Sequence, residues 1–230
     1  MTMIRPAAII FDYGNVLCRP QSLADVETLA AIVKLDIAEF QTRYWRRRLS
    51  YDEAALDPRS YWQTVADGQL TEAEIDRLND IDGKSWTHPA AVMPEWAKNV
   101  RASGVRTAIL SNMPLTVREA LDHSEWLPEF DHRTFSCDVR LAKPAPEIYR
   151  YSLRGLGVAA RDALFLDDKS ENVQAAEALG IHSILFSTPE DLAGQFFGRF
   201  DLPPPAVASV GVGQVPDLPR SEEMKDDQNK

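Results

Sequence analysis

Cysteine and histidine are scarce in this chain, and basic residues are outnumbered. Only Cys18 and Cys137 occur in 230 residues, in no C-x-x-C or zinc-type spacing. That excludes a disulfide framework as the organising device and makes a reducing compartment the expectation. The four histidines, His88, His123, His132 and His182, show no ligand spacing and read as structural or surface residues. Asp and Glu number 35 against 25 Lys and Arg, for a formal net charge of −10. A surface that negative repels nucleic acid and anionic membranes, so neither is an expected partner. No stretch approaches the roughly 20 apolar residues of a membrane span. The N-terminal run is broken by Asp12 and lacks a small-residue cleavage site, so it does not read as a signal peptide. The expectation is a cytoplasmic, water-soluble protein, and nothing in the pattern specifies its oligomeric state.

Hydrophobic residues make up 44% of the chain, which suffices for a main domain plus a smaller inserted one. Short apolar runs at 7–11 (AAIIF), 106–110 (RTAIL), 163–166 (ALFL) and 182–186 (HSILF) read as buried parallel strands. Helical patterns at 94–103, 145–155 and 170–179 separate them. Ser170 is a candidate cap of the last helix, and Gly180 a candidate stop. Strands alternating with helices imply an α/β fold, a doubly wound parallel sheet with its strand carboxyl ends on one edge. Ligands bind at that edge in open sheets of this kind.

Residues 18–90 have a different texture. Segments 22–34, 36–49, 58–67 and 71–82 look helical, with turn signals at Asp57-Pro58 and Asp67-Gly68 and a capping-box spacing at Thr71 and Glu74. The expected division is an α/β core of 1–17 and 91–202, an all-helical insertion of 18–90, and a tail of 203–230. The tail has three consecutive prolines and no apolar periodicity, and is expected to be disordered.

Four short motifs fall at strand ends or beside them: FDYGNVL (11–17), LSN (110–112), AKPAPEIY (142–149) and FLDDKSEN (165–172). Asp12 followed by Gly14 can project a carboxylate over a loop whose amides hold phosphate oxygens. Ser111 and Asn112 offer a hydroxyl and an amide. Lys143, held extended by Pro144, is a cation able to screen a carboxylate from a phosphate dianion. Asp167 and Asp168 are adjacent carboxylates that suit a hard cation such as magnesium.

In this order the motifs resemble those of the haloacid-dehalogenase superfamily, over roughly residues 7–187. They are most similar to its phosphatase branch with a helical cap, which includes epoxide-hydrolase phosphatase domains and sugar-phosphate phosphatases with an FDLGNV-type first motif. The resemblance implies a Rossmann-like core and magnesium-dependent hydrolysis of a small phosphorylated metabolite. Asp12 would be the nucleophile and form an aspartyl-phosphate. Asp12, the Gly14 carbonyl and Asp168 would hold magnesium, with Asp167 acting through water or from behind the ligands. Ser111 and the Asn112 amide would bind phosphate oxygens, Lys143 would neutralise charge, and Asn172 would orient the acidic loop.

The chain departs from the superfamily pattern at Gly14. Many of its phosphatases carry a second Asp there, which protonates the leaving group. Without it, the rate is expected to depend steeply on leaving-group pKa. Two alternatives share the fold: a metal-independent haloacid dehalogenase, and a non-catalytic, phosphate-responsive regulatory protein. The cap selects substrate in such proteins, and Trp45, Arg46, Arg47, Arg48, Tyr51, Tyr61 and Trp62 are candidates to face the site. The expectation, however, is that Trp45 and Trp62 are cap core and that the three arginines form a solvated basic face.

Overall fold

A computed structural model of the chain describes residues 3–206. The expectation for residues 207–230 lies outside the described residues. The start of the expected tail is docked: Pro205 is buried, and Trp96 Nε1 donates to the Pro203 carbonyl at 2.9 Å.

Five strands form one parallel sheet: β1 (Ala8–Phe11), β2 (Arg106–Ser111), β3 (His132–Phe135), β4 (Ala163–Asp167) and β5 (His182–Leu185), in the order β3-β2-β1-β4-β5. The central β1 is completely buried, which is why its sequence is an unbroken apolar run. Alternate residues face opposite sides. Ile9, Phe11, Ile109, Leu164 and Leu166 pack into one core with helices α6 (Met93–Ala102), α7 (Leu115–Asp122) and α11 (Pro189–Phe196). Ile10, Ala108, Leu110 and Phe165 pack on the other face with α9 (Pro146–Leu156) and α10 (Ser170–Glu177). Truncating a fully buried residue such as Ile10 to Ala would cost about 2–5 kcal/mol.

The chain passes from β1 outward to β2 and β3, then returns to β4 and β5 on the opposite side. The strand order therefore reverses at β1, and its carboxyl end is the topological switch point. The sequence pattern did not reveal β3. As an edge strand only Thr134 and Phe135 of its four residues are buried, so it carries no apolar run.

Between β1 and α6 lie α1 (Leu23–Ile32), α2 (Ile37–Arg46), α3 (Arg48–Asp52), α4 (Pro58–Val65) and α5 (Glu72–Ser85), around a core of their own that includes Phe40, Tyr44, Tyr61 and Trp62. Asp57 and Pro58 are the N-cap and first residue of α4 rather than a free turn, and the Thr71–Glu74 capping box is present at α5. Ser170 does not cap α10: Lys169 occupies the N-cap, and no side chain bonds there. The two passages between cap and core run side by side. Arg19 N–H donates to the His88 carbonyl and Ala90 N–H to the Leu17 carbonyl, each at 2.8 Å.

The seam above the sheet edge is made of specific contacts. Ser136 Oγ, on the short helix α8 (Ser136–Val139), donates to the Asp52 carbonyl at 2.6 Å. Tyr51 and Thr116 hydroxyls lie 3.0 Å apart. No helix among the described residues is long and apolar enough to cross a membrane.

Candidate active site

Asp12 sits one residue past β1 and still continues the ladder: its N–H donates to the Leu166 carbonyl at 2.8 Å. This holds the carboxylate at the sheet rim, only 6% exposed. Asp12 Oδ1 accepts from Tyr13 N–H at 2.7 Å and pairs with Lys143 Nζ at 2.8 Å. Oδ2 accepts no hydrogen bond from the described residues. Tyr13 is buried, and its hydroxyl donates to the Trp86 carbonyl at 2.6 Å, so it offers no free acid to the site.

Lys143 enters from the loop before α9. Its buried ammonium lies 2.6 Å from Asp167 Oδ2 as well as reaching Asp12. The Asn112 side chain clamps its backbone: Lys143 N–H donates to Asn112 Oδ1, and Asn112 Nδ2 donates to the Lys143 carbonyl, both at 2.9 Å. The sequence pointed to the Asn112 amide but not to this use of the side chain. Ser111 ends β2, is 3% exposed, and its hydroxyl bonds to none of the described residues.

Asp167, the last residue of β4, is fully buried. Asn172 Nδ2 donates to both its oxygens at 2.9 and 3.0 Å, and Lys169 N–H donates to Oδ1 at 2.8 Å. Asp168 is only half-buried. Its Oδ2 accepts from Asn15 Nδ2 at 2.8 Å, and Oδ1 accepts nothing from the described residues. Asn15 makes that reach from a left-handed backbone, φ 60°, which asparagine tolerates better than most residues. The sequence reading missed Asn15. The signal was an Asn beside a Gly in the loop after β1.

Burial pushes the Asp12 carboxyl up to about 7; Lys143 opposes that rise, and Asp167 and Asp168 add to it. Burial works against the Lys143 ammonium, but Asp12 and Asp167 overcome it and hold its pKa above the ordinary lysine value. One ammonium thus pairs with two carboxylates, Asp12 and Asp167, and a third, Asp168, stands beside them. Carboxylate oxygens of Asp12, Asp167 and Asp168 lie within 4.8 Å of one another. Excess negative charge on hard oxygen donors fits a magnesium ion. Asp12 and Asp168 each keep an oxygen free for it, whereas both Asp167 oxygens are engaged by protein donors.

Asp12, Lys143 and Asp168 line a cavity of ≈ 310 Å³ together with Gly14, Ser111, Asn112 and Glu171, while Asp167 lies behind its wall. Trp45, Arg48, Leu49, Asp52 and Trp86 line it from the cap side. Two expectations for the cap are corrected here. Trp45 is not core but 48% exposed on the cavity wall, because it is the last residue but one of α2 and faces out of the cap. Arg48 is not part of a solvated face. It is 6% exposed, with Nε 2.8 Å from Asp52 Oδ1 and Nη1 3.3 Å from Asp82 Oδ2. Arg46 and Arg47 are exposed, and Tyr51, Tyr61 and Trp62 are buried and absent from the cavity wall. None of the four histidines lines the cavity. Cys18 and Cys137 are free thiols.

A parallel sheet with an acid–lysine cluster at its carboxyl edge, under inserted helices, is the arrangement of a hydrolase. Residues 6–180 match the haloacid dehalogenase-like hydrolase family, and the chain belongs to it. It is 27% identical over 179 residues to the sesquiterpene phosphatase astK of Aspergillus oryzae, covering 76% of this chain and 86% of that protein. It is 36% identical over 103 residues to acyl-CoA dehydrogenase family member 10 of Mus musculus, covering 43% of this chain but only 9% of that much longer protein. A HAD family enzyme from Bacteroides thetaiotaomicron, a mutant solved in complex with magnesium and inorganic phosphate, superimposes with a TM-score of 0.66 at 16% identity. The match covers 84% of this chain and 99% of that one. Solved dehalogenases share the fold as well.

Proposed function

We propose that the chain hydrolyses a small phosphomonoester, with magnesium as cofactor and Asp12 as nucleophile. The observation that carries this reading is the Asp12–Lys143–Asp167 cluster with Asp168 beside it. Lys143 offsets the charge that would otherwise keep a phosphate dianion from Asp12. Asp12 would attack phosphorus through one carboxylate oxygen and carry the aspartyl-phosphate there, leaving its other oxygen to the cation. Ser111 Oγ and the Asn112 amide are the groups available to hold the phosphoryl oxygens. Asp12, the Gly14 carbonyl and Asp168 would hold magnesium, which when bound supplies positive charge to the transferring group. Asp167 would act from behind them, orienting Lys143, with Asn172 orienting Asp167.

Metal-independent dehalogenation is the competing reading on the same fold. The pairing of a free Asp168 oxygen with a free Asp12 oxygen favours the magnesium-dependent reaction, because dehalogenation needs no cation there. The test measures phosphate release from a panel of phosphomonoesters, with magnesium and with chelator, beside halide release from 2-haloacids. Magnesium-dependent phosphate release is the expected result. Halide release indifferent to chelator would overturn the reading. Magnesium and phosphate binding without turnover would point to a regulatory protein.

A further inference from the structure

Gly14 gives the leaving group no proton, yet the cavity holds a carboxyl that can. Asp52 is the only acid that the cap contributes to the cavity wall, and it is 7% exposed. Its Oδ1 is held by Arg48 Nε at 2.8 Å, while Oδ2 accepts no hydrogen bond from the described residues. Its carbonyl is tied to the core by Ser136 Oγ at 2.6 Å, so Asp52 is anchored at the seam rather than carried on a loose helix. Phosphoryl transfer runs roughly in line. With Asp12 at the sheet rim attacking from one side, the leaving oxygen departs on the other, toward the cap.

On the reading that the chain is a phosphomonoesterase, we propose that Asp52 donates the proton to the leaving-group oxygen. As the bond from phosphorus to the leaving oxygen breaks and the bond to Asp12 forms, the Asp52 proton passes to that oxygen and the alcohol leaves. In the second half, water attacks phosphorus from the vacated side. The Asp52 carboxylate takes one proton from it, the bond to Asp12 breaks, and its electron pair returns to the Asp12 carboxylate. Arg48, shared between Asp52 and Asp82, is a positioning residue. The charged groups around Asp52 are Arg48 on its own helix, Asp82 on α5 and Lys169 after β4. Burial pushes the Asp52 carboxyl up to about 6; Arg48 opposes the rise, Asp82 adds to it, and Lys169 opposes it. A donor with a pKa near the working pH is what general acid catalysis favours. The sequence alone predicts a steep dependence on leaving-group pKa, whereas a donor at Asp52 makes it shallow.

The experiment is a series of aryl and alkyl phosphates of graded leaving-group pKa, with magnesium, on wild type, Asp52→Asn, Glu171→Gln and the double variant Asp52→Asn/Gly14→Asp. Asp52→Asn should lose about 10²–10⁴-fold on alkyl phosphates, change little on the best aryl leaving groups, and make the dependence steep. Glu171→Gln, altering the exposed acid on the core side, should leave the slope unchanged. Adding Gly14→Asp should restore alkyl hydrolysis. Gly14 is not among the positive-φ glycines, and a Cβ there meets only Trp86 Cζ3, at an ordinary 3.6 Å. Wild type carries an independent test should Asp52→Asn not fold: on alkyl esters kcat/KM should fall as pH rises through about 6, and that limb should be absent on the best aryl esters. Equal loss on every leaving group, no loss at all, or a slope that follows Glu171 instead would overturn the role of Asp52 while leaving phosphatase activity standing. A wild type that cleaves no phosphomonoester would overturn both.

Discussion

The side chain of Asn112 holds the backbone of Lys143 on both sides of its Cα, accepting from the N–H and donating to the carbonyl at 2.9 Å each. The two residues are 31 positions apart, and this clamp aims the ammonium at Asp12.

Asn112→Ala should therefore lower kcat by about 10- to 100-fold, as loss of an orienting partner typically does. The fold should persist with a modest loss of stability, about 1–3 kcal/mol for two part-buried bonds. Steady-state kinetics beside a denaturant melt check this. An unchanged kcat would mean that Lys143 is aimed by its ion pairs alone.

Asp12→Asn should abolish turnover and change the pH dependence of stability. A carboxyl with a raised folded pKa binds more protons in the folded state than in the unfolded one. Its contribution is fully present below its ordinary pKa of about 3.9 and is lost as pH rises through about 7. Without magnesium, the melting temperature of Asp12→Asn relative to wild type should rise between those limits. Melting curves at several pH values test this; a constant difference would show that Asp12 does not carry the shift.

Asp168→Ala should weaken magnesium binding more than Asp167→Ala does, because only Asp168 keeps an oxygen free of protein donors. Asp167→Ala should instead cost more stability, about 3 kcal/mol, since it strips a buried partner from Lys143 and Asn172. Calorimetric titration of magnesium and thermal melts separate the two effects. Equal magnesium affinities would defeat the assignment.

Gly83→Ala should disturb the seam between cap and core. A Cβ at Gly83 would lie 2.9 Å from the Thr116 carbonyl oxygen and 3.2 Å from Ala120 Cβ, so α5 and α7 would have to separate. The expected cost is about 1–3 kcal/mol, with a rise in KM as the cap wall shifts. Unchanged stability and KM would show that the helices part freely.

The sequence by itself determined the elements that are locally self-sufficient. Buried on both faces, β1, β2 and β4 must be apolar runs, and a polar residue that ends such a run is visible as a strand end. Asp12, Ser111, Asp167 and Asp168 were legible for that reason, and Lys143 because its neighbours formed part of an ordered motif set. Thr71 and Glu74 were legible because a capping box closes within four residues.

What the tertiary structure decided depends on distant partners. β3 is an edge strand whose pairing with β2 compensates for a polar sequence, and α7 and α8, whose N-caps make no side-chain hydrogen bond, are stabilised by packing rather than by strong local patterns. The strand order, with its reversal at β1, appears only when the crossovers are laid out. Arg48 read as one of three surface arginines until the fold placed Asp52 and Asp82 beside it. Asp52 carried no signal in the sequence, and only the docking of the cap on Ser136 brings it to the site. Charges are silent in a sequence about which other charges they will face, because burial and pairing energies are set by distance and exclusion of water, and both arise only when the chain is folded.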